Sequence, residues 1–159
     1  MWIYRPPDAA QSFHQTSNLR FSSKSPCDYM MFCPPFLFCL ELKSVAGKSI
    51  SFERDKSDKG VIHYHQIEYL RNCLRYQNVI PGLIIDFRGT CNTWFLHINE
   101  WDELIDSISK KSFNENDLLS YTYPILISKE KLKVNYKYDV GKFIQDATRL
   151  ETYNDITTN

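Results

Sequence analysis

The chain has 159 residues, 19 of them Lys or Arg and 19 Asp or Glu, so its formal net charge at pH 7 is zero. That balance argues against a broadly nonspecific nucleic-acid binder, and a content of 43% hydrophobic and 14% aromatic residues argues against disorder. One domain is expected over residues 1–150, with 151–159 as a flexible tail.

Residues 2–4 (Trp-Ile-Tyr) read as a short first strand, closed by Pro6-Pro7. Residues 8–24 are polar and read as a loop, whose Arg20 and Lys24 are either solvated or in reach of phosphates. Asp28 opens an apolar run over 29–33, Pro34-Pro35 punctuates the chain, and a second run begins at Phe36. The two runs predict a hairpin that folds Asp28 back toward Glu41. On the second strand, over 36–44, residues two apart share a face, so Glu41 and Lys43 point one way and Leu42 the other. Gly47 allows a tight turn, 50–52 form another short strand, and 53–60 read as a charge-mixed loop. That loop is solvated, or else brings Arg54, Lys56 and Lys59 toward a DNA backbone.

A helix is predicted over 62–77, with Ile67, Leu70 and Leu74 at i, i+3 and i+7 and Cys73 widening the stripe. Pro81-Gly82 closes that region. A buried strand over 83–88 turns at Gly89-Thr90 and pairs with a strand over 93–98. Asn99 reads as an N-cap for a helix to Ser109 whose inner face is Trp101, Leu104, Ile105 and Ile108. Residues 114–119 are a short helix or loop, and 140–150 a final helix. Lys129, Lys131, Lys133 and Lys137 cluster around a strand-like stretch over 132–136. They are either guards of an edge strand or a phosphate-binding patch. Lys48, Lys129, Lys131 and Lys133 are the DNA-contact candidates.

Several chemistries lack support. The five cysteines (Cys27, Cys33, Cys39, Cys73, Cys91) are odd in number and form no CxxC, so free thiols in a reducing cytoplasm are expected. No apolar run reaches the roughly 20 residues of a membrane helix, and residues 1–7 are no signal peptide. His63 and His65 diverge by about 200° on a helix and have no third soft ligand, which disfavours zinc. There is no P-loop for a nucleotide cofactor and no nucleophile elbow.

The positive case rests on Asp28, Glu41 and Lys43. Two converging carboxylates need a cation, or one must take a proton. Oxygen donors favour Mg²⁺ or Mn²⁺, which can polarise a phosphate and activate water. A Lys on the same face can stabilise the added charge of a phosphodiester transition state.

Asp28 followed by Glu41-Leu42-Lys43 resembles the paired motif of the PD-(D/E)xK nucleases, and the wider context resembles the RecU-type Holliday junction resolvases. Residues 44–52 resemble the segment after that family's Lys, 62–70 (with His65-Gln66-Ile67-Glu68) its HQIE helix, and 121–125 its late YPI stretch. The resemblance spans about residues 2–144. It implies an α/β, restriction-endonuclease-like fold with a mixed central sheet flanked by helices. It implies metal ligands at Asp28, Glu41 and Gln66, with Lys43 as transition-state stabiliser. It further implies Mg²⁺ or Mn²⁺ as cofactor, four-way DNA junctions as substrate, and a homodimer. In the family a stalk-like insertion lies in the part of the chain where 8–24 stand. Pro26 occupies a position where the family has a metal-site Thr, and the chain starts at about the family's first strand, without its acidic N-terminal helix. These departures motivate an alternative, a non-catalytic DNA-binding or assembly protein on the same fold.

Overall fold

A computed structural model describes residues 1–6 and 26–157, with side chains as far as Arg149. The loop expected over 8–24, with Arg20 and Lys24, lies outside the described residues. The two apolar runs form strands β2 (Tyr29–Cys33) and β3 (Phe36–Val45), and β2 also pairs with β1 (Trp2–Tyr4). Strand β3 then pairs in parallel with β5 (Val79–Phe87), which turns back into β6 (Asn92–His97), and β8 (Ile125–Leu126) closes the row. The six-stranded sheet runs β1-β2-β3-β5-β6-β8, parallel at β3–β5 and antiparallel elsewhere.

A parallel step needs a crossover, and helix α1 (Tyr64–Cys73) supplies it. Ile67, Leu70 and Cys73 of α1 pack on Cys39, Val45, Leu83 and Ile85 of the sheet. Helices α2 (Trp101–Asp106) and α3 (Glu115–Tyr121) share that face through Trp101, Leu104 and Leu118. The short strands β4 (Ser49–Ser51) and β7 (Ser112–Asn114) pair outside the main sheet. There the rings of Phe52, Trp101 and Phe113 meet at 5.6–6.1 Å between centroids. The opposite face carries helix α4 (Val140–Thr157), whose Phe143 and Ala147 pack on Phe38, Ile80 and Phe95. The result is a mixed α/β fold with helices on both faces of one sheet.

Several expectations need correcting. Helix α1 is shorter than 62–77: Ile62 pairs with Phe52 in a bridge, and Leu74 is exposed at 42% because the chain turns there toward β5. Pro81-Gly82 sits inside β5 and does not end the region. Gly82 belongs there for close packing, since a Cβ would lie 2.4 Å from the Leu96 carbonyl oxygen and 2.5 Å from the Phe95 ring. Asn99 is no N-cap; it lies in a 3-10 turn, Ile98–Glu100, capped by His97, and α2 stops at Asp106. The lysine-rich stretch is a hairpin of β9 (Lys129–Lys131) and β10 (Tyr136–Tyr138), so most of the expected strand over 132–136 is its turn. Helix α4 continues to Thr157, through most of the expected tail. None of the five cysteines forms a disulfide among the described residues, and Cys27, Cys39 and Cys73 are buried. No described helix is long and apolar enough to cross a membrane.

Candidate metal centre

The hairpin register decides the first contact. Tyr29 pairs with Leu40, so one further step sets Asp28 opposite Glu41, and the Leu42 amide donates to Asp28 Oδ2 at 2.8 Å. Alternation along β3 then puts Glu41 and Lys43 on the face covered by α1. Glu41 is 3% exposed. Lys43 Nζ donates to Glu41 Oε1 at 2.9 Å and to Gln66 Oε1 at 3.0 Å. Gln66, in the first turn of α1, donates from Nε2 to Glu41 Oε1 and accepts from the His63 amide at 3.0 Å. Asp28, Glu41, Lys43 and Gln66 are therefore brought together from the β2–β3 hairpin and the crossover helix.

Electrostatics make this cluster unusual. Burial pushes the Glu41 carboxyl above its ordinary range; Lys43 counteracts that, while the Asp28 charge adds to it. One ammonium does not neutralise two carboxylates here, and a cation placed between them would relieve both. The donor set is oxygen-only at Asp28 and Glu41, which fits a hard divalent ion. Gln66 presents its nitrogen to Glu41 and its oxygen to Lys43 and His63, so it bridges the carboxylate and the ammonium in this arrangement. Turning its amide would present an oxygen instead. Among the described residues no group of three or more His, Cys, Asp or Glu converges in metal-binding geometry.

The DNA-contact candidates do not form one patch. Lys48 is exposed in the turn between β3 and β4, and Lys131 and Lys133 are exposed on the β9–β10 hairpin. Lys129 turns inward: its ammonium lies 2.6 Å from Asp86 Oδ1 and 2.8 Å from Thr93 Oγ1, beneath the rings of Tyr136 and Tyr138. Arg54 also turns inward, donating to the carbonyls of Ile105, Ile108 and Lys110 and lying over the Phe52 ring. Neither role is visible in a sequence, where each cation stands among other charges.

Sequence reasoning also passed over Glu53. Its carboxylate accepts from the Tyr64 amide and contacts His63 Nδ1, both at 2.8 Å. The His63 ring first, then that amide, hold its carboxyl below the usual range. The absence of an acidic residue in the first turn of α1 was the available hint.

A family model described as RecU: Recombination protein U matches residues 7–142. The SPbeta prophage-derived uncharacterized protein YotM of Bacillus subtilis (strain 168) is 35% identical over 144 residues, covering 84% of this chain and 71% of that protein.

Proposed function

The chain belongs to the RecU recombination family, and on that footing we propose that it is a divalent-metal-dependent endonuclease that cuts branched DNA, four-way junctions above all. The fold would then be the restriction-endonuclease-like arrangement, with the hairpin and α1 converging on the site. One observation carries the reading. A buried Glu41 lies beside Asp28 and Lys43, with a carboxyl that remains raised although an ammonium stands 2.9 Å away.

Asp28 and Glu41, joined by Gln66 once its amide is turned, would hold Mg²⁺ or Mn²⁺. When bound, the ion supplies Lewis acidity toward a phosphate oxygen and a nucleophilic water. The chain's own contribution is placement. Leu42 fixes one oxygen of Asp28, and burial keeps bulk water from Glu41. Lys43 holds its ammonium where charge would build on the phosphate. Symmetric cutting of a four-way junction calls for two sites related by a twofold axis, so the active species would be a homodimer. Exposed Lys48, Lys131 and Lys133 would meet the DNA backbone.

Cleavage of labelled four-way, forked and linear DNA with Mg²⁺ or Mn²⁺ tests the reading. Metal-dependent cutting that favours the junction is expected. Cutting that survives Glu41→Gln combined with Lys43→Ala unchanged would overturn the assigned roles. Pro26, standing where the family has a metal-site Thr, motivates the second reading of a DNA-binding protein that does not cut. Tight junction binding with no product under either metal would establish that one instead.

A further inference from the structure

Glu53 stands outside the four converging residues, yet an unbroken chain of hydrogen bonds connects it to them. The segment that bears it closes on itself. The Glu53 amide donates to the Ile62 carbonyl at 3.0 Å, and Gly60 packs so tightly that a Cβ there would lie 2.5–2.9 Å from the backbone of Phe52 and Glu53. Only glycine allows that approach, and the approach delivers Glu53 to the start of α1. Helix α1 has His63 as its N-cap and no acidic residue in its first turn. The partial positive charge of its amino end is met from outside, by a carboxylate that binds the first helical amide and the capping ring. The Glu53 side chain is 13% exposed and His63 46%, so the carboxylate is the fixed anchor and the ring lies at the rim. His63 in turn donates its own amide to Gln66 Oε1, and Gln66 reaches Glu41 and Lys43.

We infer that Glu53 is a positioning residue for the metal centre: by tying Tyr64 and His63 it fixes the first turn of α1, from which the Gln66 side chain reaches Glu41 and Lys43. The inference rests on the metal-centre reading above. It assigns Glu53 no contact with DNA or with the ion, and its effect passes through Gln66 alone.

The test is a double-mutant cycle on the full chain, with Mn²⁺ affinity measured by calorimetry and electron paramagnetic resonance. Glu53→Ala should weaken Mn²⁺ binding about tenfold in the wild-type background, the scale set by residues that orient metal ligands. In the Gln66→Ala background the same change should cost less than about twofold, because the group it acts through is gone. Glu53→Gln keeps an acceptor for the Tyr64 amide and should restore most of the affinity. It also carries the test if the alanine variant does not fold. The metal-free protein gives a second readout. The Gln66 side-chain amide resonances, displaced by the bond to Glu41, should move toward free-amide shifts in Glu53→Ala.

Equal losses in both backgrounds, or Mn²⁺ affinity and Gln66 resonances both indifferent to Glu53, overturn this inference alone. If wild-type protein binds no Mn²⁺ at all, the metal-centre reading falls and takes the inference with it.

Discussion

Among the described residues, two carboxylate–ammonium pairs flank the sheet, one on each face, and their carboxyls shift in opposite directions. On the α1 face Glu41 meets Lys43; on the α4 face Asp86 meets Lys129. The lysines are covered alike, at 10% and 7% side-chain exposure, but Glu41 is 4% exposed and Asp86 27%, so burial weighs more on Glu41. The partners differ as well. Burial raises the Asp86 carboxyl, but Lys129, Thr93 and more distant Arg88 outweigh it and the carboxyl ends below its usual range. Burial also raises Glu41, and there Lys43 is opposed by Asp28, so the carboxyl stays high. The α4-face pair is complete: Thr93 donates to Asp86 at 2.7 Å and two tyrosine rings cover the ammonium. It clasps the β9–β10 hairpin to the sheet. At the α1-face pair a second carboxylate, Asp28, faces the one ammonium, and the proposed cation site would draw on that imbalance.

The largest expected effect separates the two by chemistry. Glu41→Gln should reduce single-turnover junction cleavage by about 10²–10³-fold, the scale of losing a charge-stabilising group. Asp86→Asn should leave the rate within about threefold, and an equal loss at Asp86 would dissolve the contrast. Metal binding should show in stability next. Mn²⁺ at about 100 times its Kd should stabilise the wild-type protein by about 2.7 kcal/mol, read as a raised melting temperature, and should leave Glu41→Gln unmoved. Chemical denaturation sharpens the other side. Lys129→Met should cost about 2 kcal/mol, less than a fully enclosed pair because Asp86 keeps 27% side-chain exposure. Thr93→Val should cost about 1 kcal/mol through the lost bond to Asp86.

The smallest effect is in pH. A carboxyl whose folded pKa is raised favours the protonated folded state. Its contribution is complete below the unfolded value and is lost as pH rises through the folded one. Metal-free wild-type protein should therefore lose a component of stability as pH climbs past the ordinary glutamate range, and Glu41→Gln should lack that component. Asp86, being lowered, acts in the reverse sense: its contribution is present above the unfolded aspartate value and disappears as pH falls through the lower, folded one. Melting curves across pH 3–7 on wild type and the two single variants would resolve opposite slopes in separate windows.

The two hairpins of the main sheet were legible in the chain, though not the parallel β3–β5 step that joins them. Proline punctuation and the apolar runs predict the β2–β3 hairpin, and period-two alternation pairs Glu41 with Lys43. The helix stripe locates α1, though two residues late at its start and four early at its end relative to the reading of 62–77. Local patterns misled where long-range packing overrides propensity. Pro81 and Gly82 read as a stop because nothing in the sequence reveals that Leu96 and Phe95 press on that point of β5. The lysine cluster read as edge guards or a phosphate patch, and Lys129 is neither, because spacing along a chain says nothing about which ammonium finds a carboxylate 43 positions earlier.

Residue order by itself determined which groups share a strand face, since side-chain alternation is a property of the local backbone. It therefore fixed Glu41 and Lys43 as companions and Leu42 as their opposite. Tertiary structure alone decided which charges are left unbalanced. That depends on the dielectric around each group and on partners far away in sequence: Gln66 and Asp28 for Glu41, Thr93 and Lys129 for Asp86. Coulomb energies and desolvation are set by distances in space, and only the folded chain specifies those.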